Sequence, residues 1–417
     1  MRLTDEADVR AAVRRALDGV RITDIHTHLF APEFGELLLW GPDALLTYHY
    51  LIAETMRWLD LPYEAFWALE TREQADLVWK TLFCEHTPSS ESCRGVLTTL
   101  ARLGLDVGPG GLGAYREFAA QFDAAEYVDR ILELARVECV TMTNDPFDPA
   151  ERAFWLRGEP YDRRFRAVLR IDPLLNQWGE TAATLSGWGY GVDAALSATA
   201  LREVRRFLEE WIERMRPLYM AVSLPPDFAF PEDSARGRLI AEAVLPVSRE
   251  HNVPFALMIG VKRGVNPALR SAGDALGLAD LSALERLVAA YPKNKFLVTV
   301  LARENQHALA VLARKFRNLM VFGCWWFMNI PALVDEITRM RFELLGFSVI
   351  PQHSDARILD QLVYKWEHAR EAIGRVLVDQ YTRLLRTGWP LETEIVERDV
   401  AALVGSNFWE FLERSLR

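Results

Sequence analysis

The chain has 417 residues, half of them hydrophobic and a quarter charged, which supplies a sizeable core and excludes a disordered or fibrous protein. Its 48 Lys and Arg against 58 Asp and Glu leave a net charge of −10, so no general attraction to nucleic acid or anionic membrane is available and an anionic ligand must be held by local cations. Cys84, Cys93, Cys139 and Cys324 form no CxxC pair and read as free thiols, the charged opening M-R-L-T-D-E-A-D-V-R has no secretory apolar stretch, and no apolar run reaches bilayer length; the expectation is a cytoplasmic protein.

Eight short apolar, β-branched runs bounded by turn residues alternate with helical patterns. The first is R-I-T-D-I-H at 21–26, after an N-terminal helix. Residues 30–136 then carry several helical stretches, among them L-L-T-Y-H-Y-L-I-A-E-T-M-R-W-L and E-A-F-W-A-L-E-T-R-E-Q-A-D-L-V-W-K, too long for one βα loop. The glycine-rich G-L-D-V-G-P-G-G-L-G at 104–113 lacks the Lys-Ser/Thr of a phosphate loop and follows no strand, so it reads as a helix–helix linker. Seven further runs follow at 137–142, 165–171, 218–224, 253–259, 295–300, 318–323 and 347–352. None alternates polar with apolar, as expected of a parallel sheet covered on both faces, and most spacings admit one crossover helix.

Eight such units predict an α/β fold, a (β/α)8 TIM-type barrel, with an open doubly wound sheet as the alternative. The expected organisation is an N-terminal helix and first strand over 1–29, a helical insertion over 30–136 forming a lid or wall, and the remainder of the barrel with C-terminal helices over 137–417. Trp40, Trp58, Trp67 and Trp79 in the insertion suit either its own core or a subunit interface of a homo-oligomer.

The first run ends T-D-I-H-T-H, and strand alternation sends His26 and His28 to one face, where they can share one divalent ion. The eighth runs into P-Q-H-S-D-A-R, and in a closed barrel it neighbours the first, so Asp355 completes a His–His–Asp set. Asp355 also reads as a helix N-cap ahead of A-R-I-L-D-Q-L, and His353 is left without a role.

The HxH after strand one and the Asp after strand eight resemble the amidohydrolase superfamily. Longer segments are similar to its uronate (glucuronate) isomerases: T-D-I-H-T-H-L-F, L-L-T-Y-H-Y, T-N-D-P-F-D at 143–148, L-R-I-D-P-L at 169–174, F-G-C-W-W-F-M-N at 322–329 and H-S-D-A-R at 353–357. The resemblance implies an aldose–ketose isomerase acting on a small sugar acid with one divalent metal ion, usually zinc, held by His26, His28 and Asp355. It implies further that His49 and Tyr50 reach the sugar from the insertion, that Arg170 and Arg357 bind its anionic and hydroxyl groups, and that Trp325 or Trp326 lines the pocket. Asp355 is then the main proton-transfer group, assisted by His49 and Tyr50. The residues taken singly have plainer readings: an amphipathic helix for His49 and Tyr50, a rim salt bridge for Arg170 and packing for the tryptophan pair.

Strands four to six, M-A-V-S-L, F-A-L-M-I and L-V-T-V-L, carry neither the bridging Lys nor the His residues of binuclear amidohydrolases, so no second metal site is expected. Met258 stands where many uronate isomerases have a fifth-strand His, and His251 lies toward the opposite end of that strand. His86, His307 and His368 fall in helical or loop contexts. A mononuclear His–His–Asp site also serves a metal-dependent hydrolase or decarboxylase acting on a small carboxylated substrate, and a sugar-acid-binding protein without turnover is the non-enzymatic reading.

Overall fold

Aliphatic and β-branched runs with no polar face pair stably only where both faces are covered, and seven of them do so here. The computed structural model describes residues 1–416. Strands β1 (Ile22–Thr27), β2 (Val137–Asn144), β3 (Phe165–Arg170), β4 (Met220–Leu224), β5 (Phe255–Ile259), β6 (Phe296–Val300) and β7 (Leu319–Val321) form one parallel sheet in chain order. β1, β5 and β6 are buried at every position. Helices fill the connections, among them Pro149–Arg157, Ala198–Met215, Leu281–Ala290, Gln306–Ala313 and Pro331–Leu345.

The eighth expected strand, 347–352, is corrected. It makes one parallel bridge, Phe322 to Ile350, and no ladder. Pro351 has no N–H to continue the pairing. Ile350 N–H donates to Val321 O at 3.1 Å and Gly323 N–H to Ile350 O at 2.8 Å. β7 stops at Val321, short of the expected 323, because the chain turns at Gly323: its φ is +64°, and a Cβ there would lie 1.8 Å from His353 Nδ1. Farther on the backbone meets β1: Asp355 N–H donates to His26 O at 3.1 Å, and His28 N–H to Ala356 O at 2.7 Å. The sheet is therefore curled, its far end returning to its first strand. A two-residue antiparallel hairpin, Val261–Lys262 with Ala275–Leu276, follows β5 and is too short to have a sequence pattern.

Before β1 runs α1 (Glu6–Gly19). Between β1 and β2 the chain is helical, but both expected long helices are divided: Pro42–Leu46 is separated from α2 (His49–Thr55), and Tyr63–Trp67 from Thr71–Trp79. The glycine-rich segment does join two helices, Glu91–Leu103 and Gly111–Ala119. Three of the insertion's four tryptophans are used within the chain. Trp79 stacks on Phe83, Trp40 packs on Tyr127 and Trp67 donates to Ala268 O, whereas Trp58 is 58% exposed over His86.

After the eighth segment, α3 (Gln361–Arg386) buries Leu362, Trp366, Ile373 and Leu377, packing on α1, on Pro331–Leu345 and on two insertion helices, Glu91–Leu103 and Ala124–Ala135. The buried residue before it, Asp360, accepts hydrogen bonds from Tyr115 Oη, Tyr127 Oη and Gly41 N–H, all from the insertion. One carboxylate thus bolts the insertion to the start of α3. Asp360→Ala leaves three buried donors unpaired and is expected to lower stability by about 3–5 kcal/mol. Urea unfolding checks this, and a loss below about 1 kcal/mol contradicts the assignment.

Candidate active site

Alternation along β1 sends His26 and His28 to the same side, their rings 5.4 Å apart edge to face. The Tyr219 hydroxyl donates to Ile25 O at 2.6 Å and lies 3.2 Å from His26 Nδ1. Its proton being committed, it accepts from Nδ1–H, which leaves the His26 Nε2 lone pair free. That atom lies 3.7 Å from Asp355 Oδ1, and His28 Nε2 lies 3.4 Å from the same oxygen. Burial pushes His26 down to about 3 and holds His28 well below the ordinary histidine range, so both rings are neutral, the form that binds metal.

His26 Nε2 and Asp355 Oδ1 are buried with no hydrogen-bond partner, a state that costs free energy unless another group completes it. With His28 they place three ligand atoms within 4.8 Å of one another. It is the one such group among the described residues, and its donor chemistry fits a divalent ion. Near the ends of β4, β5 and β6 stand Ser223, Met258 and Thr299.

Asp355 is not an N-cap, since α3 begins only at Gln361. Its φ of +54° lies in the left-handed region, a strained conformation for a non-glycine residue that its surroundings must enforce. They do so from both sides. Its own N–H is bound to His26 O, and Ser354 N–H donates to Asp24 Oδ1 at 3.0 Å. Asp24 is fully buried and also accepts from Trp366 Nε1 at 2.8 Å; burial raises its carboxyl to about 6. Asn329 Nδ2 donates to the carbonyls of His353 and Ser354.

The trio opens on a cavity of about 440 Å³ whose wall also includes His49, Arg170, Arg357, Trp325 and Trp326. His49 is the first residue of α2, and its Nε2 is buried without a partner. Tyr50 does not reach the wall. It stands behind His49, rings 4.6 Å apart, packed on Phe327, with its hydroxyl buried and unpartnered. Trp326 adopts a φ of +49°, stacks on Phe327 and approaches His49 edge to face at 6.0 Å.

The cations differ in how they are held. Arg170 donates to Asp172 at 3.0 Å, whose charge is the largest favourable influence on its guanidinium. Among the described residues Arg357 has no side-chain hydrogen bond or ion pair, so its guanidinium faces the cavity uncompensated. Thr143, Asp172, Ser223, Met258 and Arg263 complete much of the wall. Thr143 and Asp172 lie inside segments singled out in the sequence, whereas nothing local marks Arg263, which the hairpin after β5 brings back to the site.

The other histidines lie elsewhere. His353 is buried beside His26 and Phe322 with both nitrogens unpartnered. His251 is exposed ahead of β5, His307 is exposed on its helix, His86 binds Thr81 O and His368 binds Thr98.

No protein-family model matches the chain, and no curated protein matches it. Among solved structures, a uronate isomerase from Bacillus halodurans C-125 is 55% identical, with a TM-score of 0.97 over 99% of this chain and 98% of that one. A uronate isomerase from Thermotoga maritima is 17% identical, with a TM-score of 0.77 over 96% and 97% of the two chains. A glucuronate isomerase from Caulobacter crescentus is 15% identical, with a TM-score of 0.74 over 97% and 94%. At such low identity the last two show a shared fold. The first is alike over nearly every residue, and on that similarity the chain belongs to the uronate isomerase family.

Proposed function

We propose that the protein is a uronate isomerase that interconverts D-glucuronate with D-fructuronate and D-galacturonate with D-tagaturonate. The observation that carries the reading is an uncompensated Arg357 in the same cavity as His26, His28 and Asp355, within a chain of this family. A sugar acid needs a cation for its oxygens and a proton carrier beside its carbonyl, and this cavity offers both. The four free cysteines suit a cytoplasmic location.

The fold reading that goes with it is a (β/α)8 barrel whose eighth strand is reduced to its backbone bonds with Val321 and Gly323 on one side and His26 and His28 on the other. Residues 30–136 serve as its lid, since this segment carries His49 to the cavity. One Zn²⁺ would be held by His26, His28 and Asp355. When bound, it supplies positive charge that polarises substrate oxygens.

The isomerisation breaks a C2–H bond and forms a C1–H bond, while one proton leaves O2 and one arrives at O1. Asp355 is assigned the carbon-bound proton. Oδ1 faces the two histidines, and the second oxygen carries no hydrogen bond among the described residues, so it is free to take the proton from C2 and return it to C1. Arg357 donates to the oxygens as negative charge develops on them in the enediol. Neutral His49, with Nε2 unpartnered, passes the proton between O2 and O1, and Tyr50 assists by holding the His49 ring from behind. Trp325 and Trp326 exclude water from the face of the sugar.

Asp355→Asn should lower kcat by about 10²- to 10⁴-fold in NMR assays that follow aldehyde loss and ketose formation, and near-normal turnover would remove Asp355 from the mechanism. Arg357→Lys keeps the charge but loses the fork, so kcat/KM for either uronate should fall about tenfold to a hundredfold. Metal analysis should find one equivalent per chain. His26→Ala and His28→Ala should each weaken binding more than about a hundredfold, and a chelator should lower the melting temperature of the parent but not of these variants.

A further inference from the structure

The cavity adjoins an open surface groove, and the residues common to both walls are Arg170, Asp172, Ser223 and Arg263. Two arginines therefore flank the neck between cavity and groove. Each is tethered by a carboxylate from its own loop: Arg170 by Asp172 at 3.0 Å and Arg263 by Asp274 at 2.5 Å.

The tether on Arg263 is built by the hairpin after β5. Pairing of Lys262 with Ala275 sets Arg263 opposite Asp274, whose second oxygen accepts from Gly264 N–H at 2.8 Å. Asp274 is nearly enclosed, while the Arg263 side chain is 57% exposed and its guanidinium carbon lies 5.9 Å from the Trp326 ring. Only Nη1 of Arg263 meets Asp274, and among the described residues Nε and Nη2 have no partner. The 263–274 excursion is anchored to the insertion. Trp67 Nε1 donates to Ala268 O at 2.9 Å, the Arg270 guanidinium lies over the Trp67 ring, and Asn266 Nδ2 reaches Tyr63 Oη. A cation held at a neck, stacked toward an aromatic wall and left with free donors is arranged to grip a ligand oxygen.

We propose that Arg263 is a substrate-binding residue that donates to the sugar acid at its end remote from the His26–His28–Asp355 trio, and that with Arg170 it makes the neck selective for anions. The assignment rests on the uronate reading above. Arg263 acts on binding and capture, while Arg357 and Asp355 act on the reacting carbons.

The test is steady-state kinetics of Arg263→Ala, Arg263→Lys and Asp274→Asn with D-glucuronate at low and high ionic strength, alongside thermal melting and metal content. Arg263→Ala should raise KM at least about tenfold with kcat within about threefold of the parent. It should also flatten the decline of kcat/KM with salt, a change that loss of a merely structural contact does not produce. Arg263→Lys should keep the salt dependence with an intermediate KM, and Asp274→Asn should raise KM less than Arg263→Ala. Unaltered KM and salt dependence in a folded, metal-replete Arg263→Ala enzyme overturn the assignment alone. Absence of turnover of either uronate by the metal-replete parent overturns the uronate reading and this inference with it.

Discussion

The site depends on a seam a few residues long, where the segment after β7 meets the first strand. Asp355 N–H to His26 O and His28 N–H to Ala356 O join parts of the chain more than three hundred residues apart, and Asp24 adds a carboxylate acceptor for Ser354 N–H. These bonds do two jobs. They bring the far end of the curled sheet back to its start, and they hold Asp355 in a left-handed conformation that places its Oδ1 within 4 Å of both histidines. A strained residue persists only where its neighbours over-determine it, and here every peptide N–H from Ser354 to Ala356 is spoken for.

Around that seam the buried polar groups fall into two kinds. One kind is paired and structural. Asp360 collects three donors from the insertion, and both terminal nitrogens of enclosed Arg341 donate, to Gly323 O and Gln306 Oε1. Another set is unpaired and faces the cavity: His26 Nε2, His49 Nε2 and Asp355 Oδ1, together with the unpartnered guanidinium of Arg357, while the unpartnered Tyr50 hydroxyl and His353 nitrogens lie behind it. Unpaired buried donors and acceptors are costly, and those that converge on this cavity are set to be completed by a bound group. Tethering divides the arginines in the same way. Arg170 is bound to Asp172, Arg263 is held to Asp274 through one nitrogen with its other donors open, and Arg357 has no counter-charge bound to it.

Much of this is legible in the linear chain. Apolar runs located seven strands within a few residues, because a strand buried on both faces writes an unbroken apolar segment. His26 and His28 are recognisable because a two-residue period is local geometry. The eighth strand misleads, since F-S-V-I is strand-like in composition while Pro351 and the turn toward Asp355 remove the donors that a ladder needs. The insertion's long periodic stretches also mislead, and the break at Thr47–Tyr48 is what puts His49 at a helix start facing the cavity.

Sequence alone determined what depends on neighbours within a few residues: the strand positions, the shared face of the two histidines and the helical character of the insertion. Motifs quoted from the chain also identified the family that whole-chain similarity bears out. Tertiary structure alone decided which arginines are paired with a carboxylate and which is not, that Tyr50 stands behind the wall while His49 forms it, and that Arg263 lines the cavity. Each of these depends on a partner supplied by chain closure or by a hairpin. Residues such as Asp274, Phe327 and Ala356 carry no mark of that partnership until the backbone brings them into contact.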